Sequence, residues 1–322
     1  MRALYCPALA AILLCFGCAT DPKKVEEAVM PEMQQNTYLS HAKMPQTYGF
    51  NVYKIKDGLG LQAAARLHPN HVASVKCEKG RIPVIEMTGR APRMKLNALL
   101  DPSSPTTWME FDKSQEFEAV FMGVDGEYFP YRGAYNTGDV PGYAAVVGRM
   151  RIDQLYIENV PLYVRMAMNS LGPLARGIQI PHVDAIIGYD TLSMFEYIQF
   201  DFDAGRISFS SSTPYTPHGD LLMTEAKIKH VKGYGLAVDG AIFGNPTPII
   251  LDFAGDFDFA RGDATMSLTR QVSIGDVVFR RVPTLMLPIN HSPPRAGRRM
   301  LEKYIVTVCP RLGVVYFERI PE

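Results

Sequence analysis

Twice in this chain an apolar run delivers an aspartate into a tight turn of small residues. Leu96 to Leu100 ends at Asp101-Pro102-Ser103-Ser104, and Thr247 to Leu251 ends at Asp252-Phe253-Ala254-Gly255. Short apolar runs closed by turn residues are the pattern of buried strands. Ile82 to Met87, closed by Thr88-Gly89-Arg90, is another. The parts after each Asp recur in order. Met150 to Val164 contains Ile152-Asp153 and then Val160-Pro161; Val272 to Leu287 contains Ile274-Gly275-Asp276 and then Val282-Pro283. Gly188, Leu192 and Phe195 are spaced as are Gly297, Leu301 and Tyr304, which predicts one short amphipathic helix in each half. A hairpin follows each helix. The first is Ile198 to Phe202 and Arg206 to Phe209 around Asp203-Ala204-Gly205; the second is Tyr304 to Val308 and Val314 to Phe317 around Pro310 to Gly313. The repeated unit is a whole lobe rather than a solenoid element. The expected fold is all-β, with two related barrel-like lobes, a few short helices, and a cleft to which each lobe brings one Asp.

Composition agrees. With 26 Gly, 24 Pro, 16 Tyr and 16 Phe, the chain leans toward turn-rich β structure. Its 322 residues are ample for two lobes. Lys plus Arg is 33 and Asp plus Glu is 33, which argues against binding nucleic acid through bulk charge.

Met1-Arg2 and the uncharged apolar stretch Ala3 to Phe16 have the layout of a signal peptide, being too short for a membrane span. The stretch runs into Gly17-Cys18 and resembles a bacterial lipobox, with Cys15 where Leu is usual. That implies residues 1–17 as a removed signal, lipid on Cys18, and anchoring in a bacterial cell envelope without a transmembrane helix. An ordinary secretory signal is the alternative. Residues 18–45 read as a flexible tether, 46–225 as the N-terminal lobe and 226–322 as the C-terminal lobe. Cys6 and Cys15 leave with the signal, so Cys77 and Cys309 remain available for one disulfide.

As a set, these features resemble the aspartic peptidases of the pepsin and retropepsin group, whose mark is Asp-Thr/Ser-Gly once per lobe. The resemblance runs from about residue 80 to the C-terminus. Leu99-Leu100-Asp101 through Trp108 is similar to the first motif, and Ile249-Ile250-Leu251-Asp252-Phe253-Ala254-Gly255 to the second. Tyr135-Asn136-Thr137-Gly138 resembles the flap hairpin that closes over substrate. Asp184-Ala185-Ile186-Ile187-Gly188 resembles the element that crosses behind the catalytic loop, and Arg298 to Phe317 the C-terminal helix and hairpin. The resemblance implies catalytic Asp101 and Asp252, a flap with Tyr135, Thr137 and Gly138, and a Ser104 hydroxyl that bonds the outer oxygen of Asp101. It implies a peptide or protein as substrate or ligand, and no metal or cofactor.

The departures are specific. Pro102 and Phe253 stand where the family has a hydroxyl that locks the two catalytic loops together. Ser103 and Ala254 stand where it has Gly, and each adds a Cβ. The chemistry needs two carboxylates sharing one proton, so that one activates water while the other polarises the scissile carbonyl. Asp also begins many turns with no further role. A non-catalytic relative that binds peptide in the cleft, and an envelope scaffold whose cleft is filled by residues 46 to 80, are the rival readings. Gly58-Leu59-Gly60 lacks the βαβ context of a dinucleotide loop, and His68 and His71 lack a third metal ligand. Arg295, Arg298, Arg299 and Lys303 form a basic cluster expected on a solvated helix face.

Overall fold

The structure is a computed structural model. It describes residues 51–55, 58–62, 65–68, 71–78, 82–124, 127–128, 130–131, 142–165, 183–262, 267–287 and 293–321. These residues form an all-β protein with a closed six-stranded barrel and a second sheet. Neighbours around the barrel are Gly142–Ile152, Val84–Thr88, Lys95–Leu100, Ala185–Ile187, Trp108–Glu110 and Leu155–Arg165, which pairs back onto Gly142–Ile152.

Lys95–Leu100 alternates exposed and buried side chains at its start and is wholly buried over Ala98, Leu99 and Leu100. Full burial at the end of the strand explains why its sequence is a continuous apolar run there rather than an alternating one. Ile249–Asp252 is buried at every position for the same reason.

The second half repeats these pairings. Ala185–Ile187 runs parallel to the strand leading to Asp101, with Ile187 opposite Leu100. Arg295–Gly297 runs parallel to the strand leading to Asp252, with Gly297 opposite Asp252. Each inserted strand also pairs antiparallel with the strand after the aspartate turn, Trp108–Glu110 or Phe259–Arg261. The long hairpins match even in their irregularities. Asp153 and Asn159 have positive φ in the first half, and Gly275 and Arg281, with the same spacing, in the second. The turn residue and the bulge thus recur together.

In the second half the corresponding strands do not close into a barrel among the described residues. Ala237–Val238 pairs with Ile249–Asp252, and Gly240–Ile242 pairs with Leu268–Ile274. Asp239 between them leaves both ladders. Its N–H donates to the Lys227 carbonyl (2.9 Å) and its carboxylate accepts from the Lys227 N–H (2.6 Å).

A platform of paired hairpins joins the halves. Tyr197–Asp201 and Tyr304–Cys309 lie antiparallel, with Ile198 opposite Val308 and Phe200 opposite Val306. Arg206–Ser210 and then Val72–Lys76 extend one side; Val314–Arg319 and then Leu222–Lys229 extend the other. The expected lobe boundary at 225/226 falls inside Leu222–Lys229. Both hairpin turns close on a left-handed glycine, Gly205 (φ 60°) and Gly313 (φ 71°). One apolar core runs through the platform and both halves, including Phe200, Phe209, Phe253, Phe259 and Phe317. The expected short helices are Tyr189–Leu192 and Arg298–Leu301.

Cys77 and Cys309 are separate buried thiols, not a disulfide. They lie near opposite ends of the platform strands: the Cys77 N–H bonds the Gly205 carbonyl, whereas Cys309 pairs with Val314. Burial pushes the Cys77 thiol up to about 11 and the Cys309 thiol to about 12. Among the described residues no helix is long and apolar enough to cross a membrane. Cys18, the signal and the tether lie outside the described residues.

Candidate active site

Asp101 and Asp252 each open a four-residue turn of the same form. The Ser104 N–H donates to the Asp101 carbonyl (3.0 Å), and the Gly255 N–H to the Asp252 carbonyl (3.2 Å). Pro102 occupies the second turn position, where its fixed φ belongs. Among the described residues, neither Ser103 nor Ala254 has positive φ, so the turns form without the family's glycine.

Behind each turn the chain crosses at close range. A Cβ on Gly188 would lie 2.2 Å from the Thr106 carbonyl oxygen, and one on Gly297 2.2 Å from the Phe257 carbonyl oxygen. These two glycines are required by lack of space. The residue after each closes the contact: the Tyr189 N–H donates to the Ser104 carbonyl (2.7 Å), and the Arg298 N–H to the Gly255 carbonyl (2.9 Å). The first turn is braced further from below. The carboxyl of Asp190 accepts the Thr107 N–H (3.1 Å), the Thr107 hydroxyl (2.7 Å) and the Thr191 N–H (2.7 Å). Burial raises Asp190 to about 6, against the lowering effect of those donors.

The lock between the halves is made by backbone. The Gly235 N–H donates to the Ser103 carbonyl (3.0 Å) and the Leu236 N–H to the Pro102 carbonyl (2.6 Å). Leu236 leads into Ala237–Val238, the neighbour of the Asp252 strand. A Cβ on Gly235 would fall 2.1 Å from the Pro102 carbonyl oxygen. Phe253 is fully buried and stacks on Phe200 of the platform, with centroids 4.1 Å apart. Ring stacking and two main-chain bonds thus hold the two aspartate turns to their surroundings.

Both carboxyl groups are buried, Asp101 at 0% and Asp252 at 2% exposure. Burial is the first cause that raises Asp101, and the negative charge of Asp252 the second; together they bring it from 3.8 to about 7. Ser103 and Arg295 pull the other way. Asp101 Oδ1 accepts the Ser103 N–H (2.9 Å), while Oδ2 is buried with no hydrogen-bond partner among the described residues. Asp252 Oδ2 accepts from Arg295 Nη1 (3.1 Å) in an ion pair whose side chains are 4% and 8% exposed. The Arg295 guanidinium also lies 5.4 Å from the Tyr234 ring centroid. The arrangement is a buried carboxyl, raised by its surroundings, near a buried Asp252–Arg295 ion pair.

Several expectations change. The Ser104 hydroxyl does not serve Asp101; it donates to the Thr106 carbonyl (2.6 Å), and the Ser103 N–H fills the role at the carboxylate. The basic cluster is a solvated face only at Arg299 and Lys303. Arg295 and Arg298 are buried. Arg298 pairs with Asp256 and Glu302, Arg299 with Asp256, and Lys303 with Asp258 (3.5 Å). Tyr135, Thr137 and Gly138 lie outside the described residues. Trp108 is buried under Ile82, Leu99, Val183 and Ile186. Arg295 is the site residue missed from sequence. Its signal was positional: it stands two residues before Gly297, where the first half has Ile186 before Gly188, so it belongs to a buried strand.

No protein-family model matches this chain, and no curated protein matches it.

Proposed function

We propose that this is a two-lobed protein of the aspartic-peptidase type that hydrolyses peptide bonds with Asp101 and Asp252. The observation that carries the reading is the pair itself. Two aspartates open equivalent turns in two halves of like topology, and burial, joined by the charge of Asp252, raises Asp101 to about 7. The ionised member takes a proton from water as its oxygen attacks the scissile carbonyl carbon. The protonated member gives its proton to the carbonyl oxygen, forming a gem-diol. The C–N bond then breaks, the nitrogen takes the proton drawn from water, and a gem-diol hydroxyl returns a proton to the other carboxyl. No covalent intermediate forms. The substrate class is an extended peptide held between the lobes. On the N-terminal sequence, the protein is exported and held at a cell-envelope membrane by lipid on Cys18.

A second reading has its own support. Asp252 is already engaged in a buried ion pair with Arg295, and both carboxyls are enclosed. This favours a cleft that binds peptide without cutting it. Incubating purified protein with a peptide library from pH 4 to 8 separates the two. The hydrolase reading expects cleavage that is lost in both Asp101→Asn and Asp252→Asn. Peptide binding with no cleavage at any pH supports the second reading and ends the first.

A further inference from the structure

At one matching strand position the two halves differ in charge, and in the second half that side chain reaches an aspartate of the pair. Ile186 lies two residues before Gly188 in the strand beside Asp101, and Arg295 two residues before Gly297 in the strand beside Asp252. Only the second position carries charge. Among the described residues, the one hydrogen bond of the Arg295 guanidinium is to Asp252 Oδ2, at 3.1 Å. Its Nε is buried without a partner, so Arg295 is not held there by a wider polar network. A buried charged pair of this kind contributes little net stability compared with an apolar pair of the same shape. An aliphatic residue, as in the other half, would fill the strand without the desolvation cost.

We propose that Arg295 is a positioning residue that makes the pair unequal: it holds Asp252 as the carboxylate that takes the water proton and leaves Asp101 as the carboxyl that donates to the scissile carbonyl. The roles rest on the hydrolase reading; the distribution of charge does not. Two carboxylates side by side cannot both ionise cheaply, so fixing one negative keeps the other neutral. Asp101 is built for the neutral state. Oδ1 is served by the Ser103 N–H, whereas Oδ2 is buried without a donor among the described residues. A negative oxygen there would be left desolvated, while a hydroxyl can point its hydrogen into the site. The charged groups acting on Asp101 are Asp252 and Arg295. Ile187, Gly235 and Leu236, whose main chains bond its turn, carry no charge.

The test is a carboxyl titration by carbon-13 NMR on aspartate-labelled protein, with cleavage measured in parallel. The expected step near pH 7 disappears in Asp101→Asn and moves down in Asp252→Asn. In Arg295→Met the upper step of the pair moves up by about one pH unit, and Arg295→Lys largely restores it. The alkaline limb of cleavage follows the same step. A step that stays in place in an Arg295→Met protein with native circular dichroism overturns the proposal. So does a step near pH 7 that vanishes in Asp252→Asn and survives in Asp101→Asn. If Arg295→Met does not fold, the Asn variants still decide which carboxyl holds the proton. Titration as expected with no cleavage sinks the hydrolase reading and leaves the charge assignment standing.

Discussion

Replacing Asp101 with Asn should make the protein more stable, and only above mildly acidic pH. Asp101 ionises at 3.8 in its ordinary state and at about 7 in the fold, because burial and the Asp252 charge oppose its anion. Below pH 3.8 both folded and unfolded chains hold the proton, and no penalty exists. Between pH 4 and 7 the unfolded chain releases the proton and the folded chain keeps it. The folded state then binds more protons, so stability falls as pH rises. At about 1.4 kcal/mol per pH unit, the loss reaches about 4 kcal/mol near pH 7 and then levels off. Asn copies the neutral carboxyl in size and cannot ionise. Denaturant unfolding of variant and wild type at pH 4, 5, 6, 7 and 8 reads the difference directly. Asp190, raised to about 6, adds its own pH dependence to both proteins and cancels. The expected difference is near zero at pH 4 and grows to about 4 kcal/mol at pH 8. A difference that is flat with pH would refute the reasoning, since it would mean that Asp101 does not hold its proton in the fold.

Other expectations follow from contacts. Gly235→Ala forces a Cβ against the Pro102 and Ser104 carbonyls and should cost about 1–3 kcal/mol in denaturant unfolding. Phe253→Ala empties the stack on Phe200 and should cost about 3–5 kcal/mol in the same assay. Thr107→Val removes the hydroxyl that buried Thr107 donates to Asp190 and should cost about 1–3 kcal/mol at pH 7, with a smaller loss at pH 4, below the raised value of that carboxyl. Reducing agent should leave the unfolding midpoint unchanged, since Cys77 and Cys309 are separate thiols; a lower midpoint would mean that a disulfide had been broken.

Much of the fold was legible because its signals are local. Buried strands reveal themselves as apolar runs, and hairpins as Asp-Ala-Gly or as a Gly after a charged turn. The strand before Asp101, the strand before Asp252, both platform hairpins and both short helices fall within a few residues of their expected places. The duplication was readable from the spacing of Val-Pro and Gly-x-x-x-Leu pairs. The site was only half legible. Arg295 was misplaced because a basic residue amid prolines and other bases reads as surface, and only its partner Asp252, far back in sequence, makes its burial affordable. The Ser104 assignment failed because hydroxyl direction depends on the Thr106 carbonyl, which no spacing reveals. Pro102 and Phe253 looked like losses, yet the turn accepts Pro at its second position and the platform accepts the Phe ring. The compensating bonds come from Gly235 and Leu236, in a segment that carries no motif.

Hydrolysis in water enriched with oxygen-18, followed by mass spectrometry of the peptide products, tests the central claim most directly. If the Asp101–Asp252 pair activates water, each new C-terminal carboxylate carries one labelled oxygen, and neither Asn variant yields labelled ends. Peptides that stay intact with folded protein from pH 4 to 8, or labelled ends that persist in both variants, would contradict it.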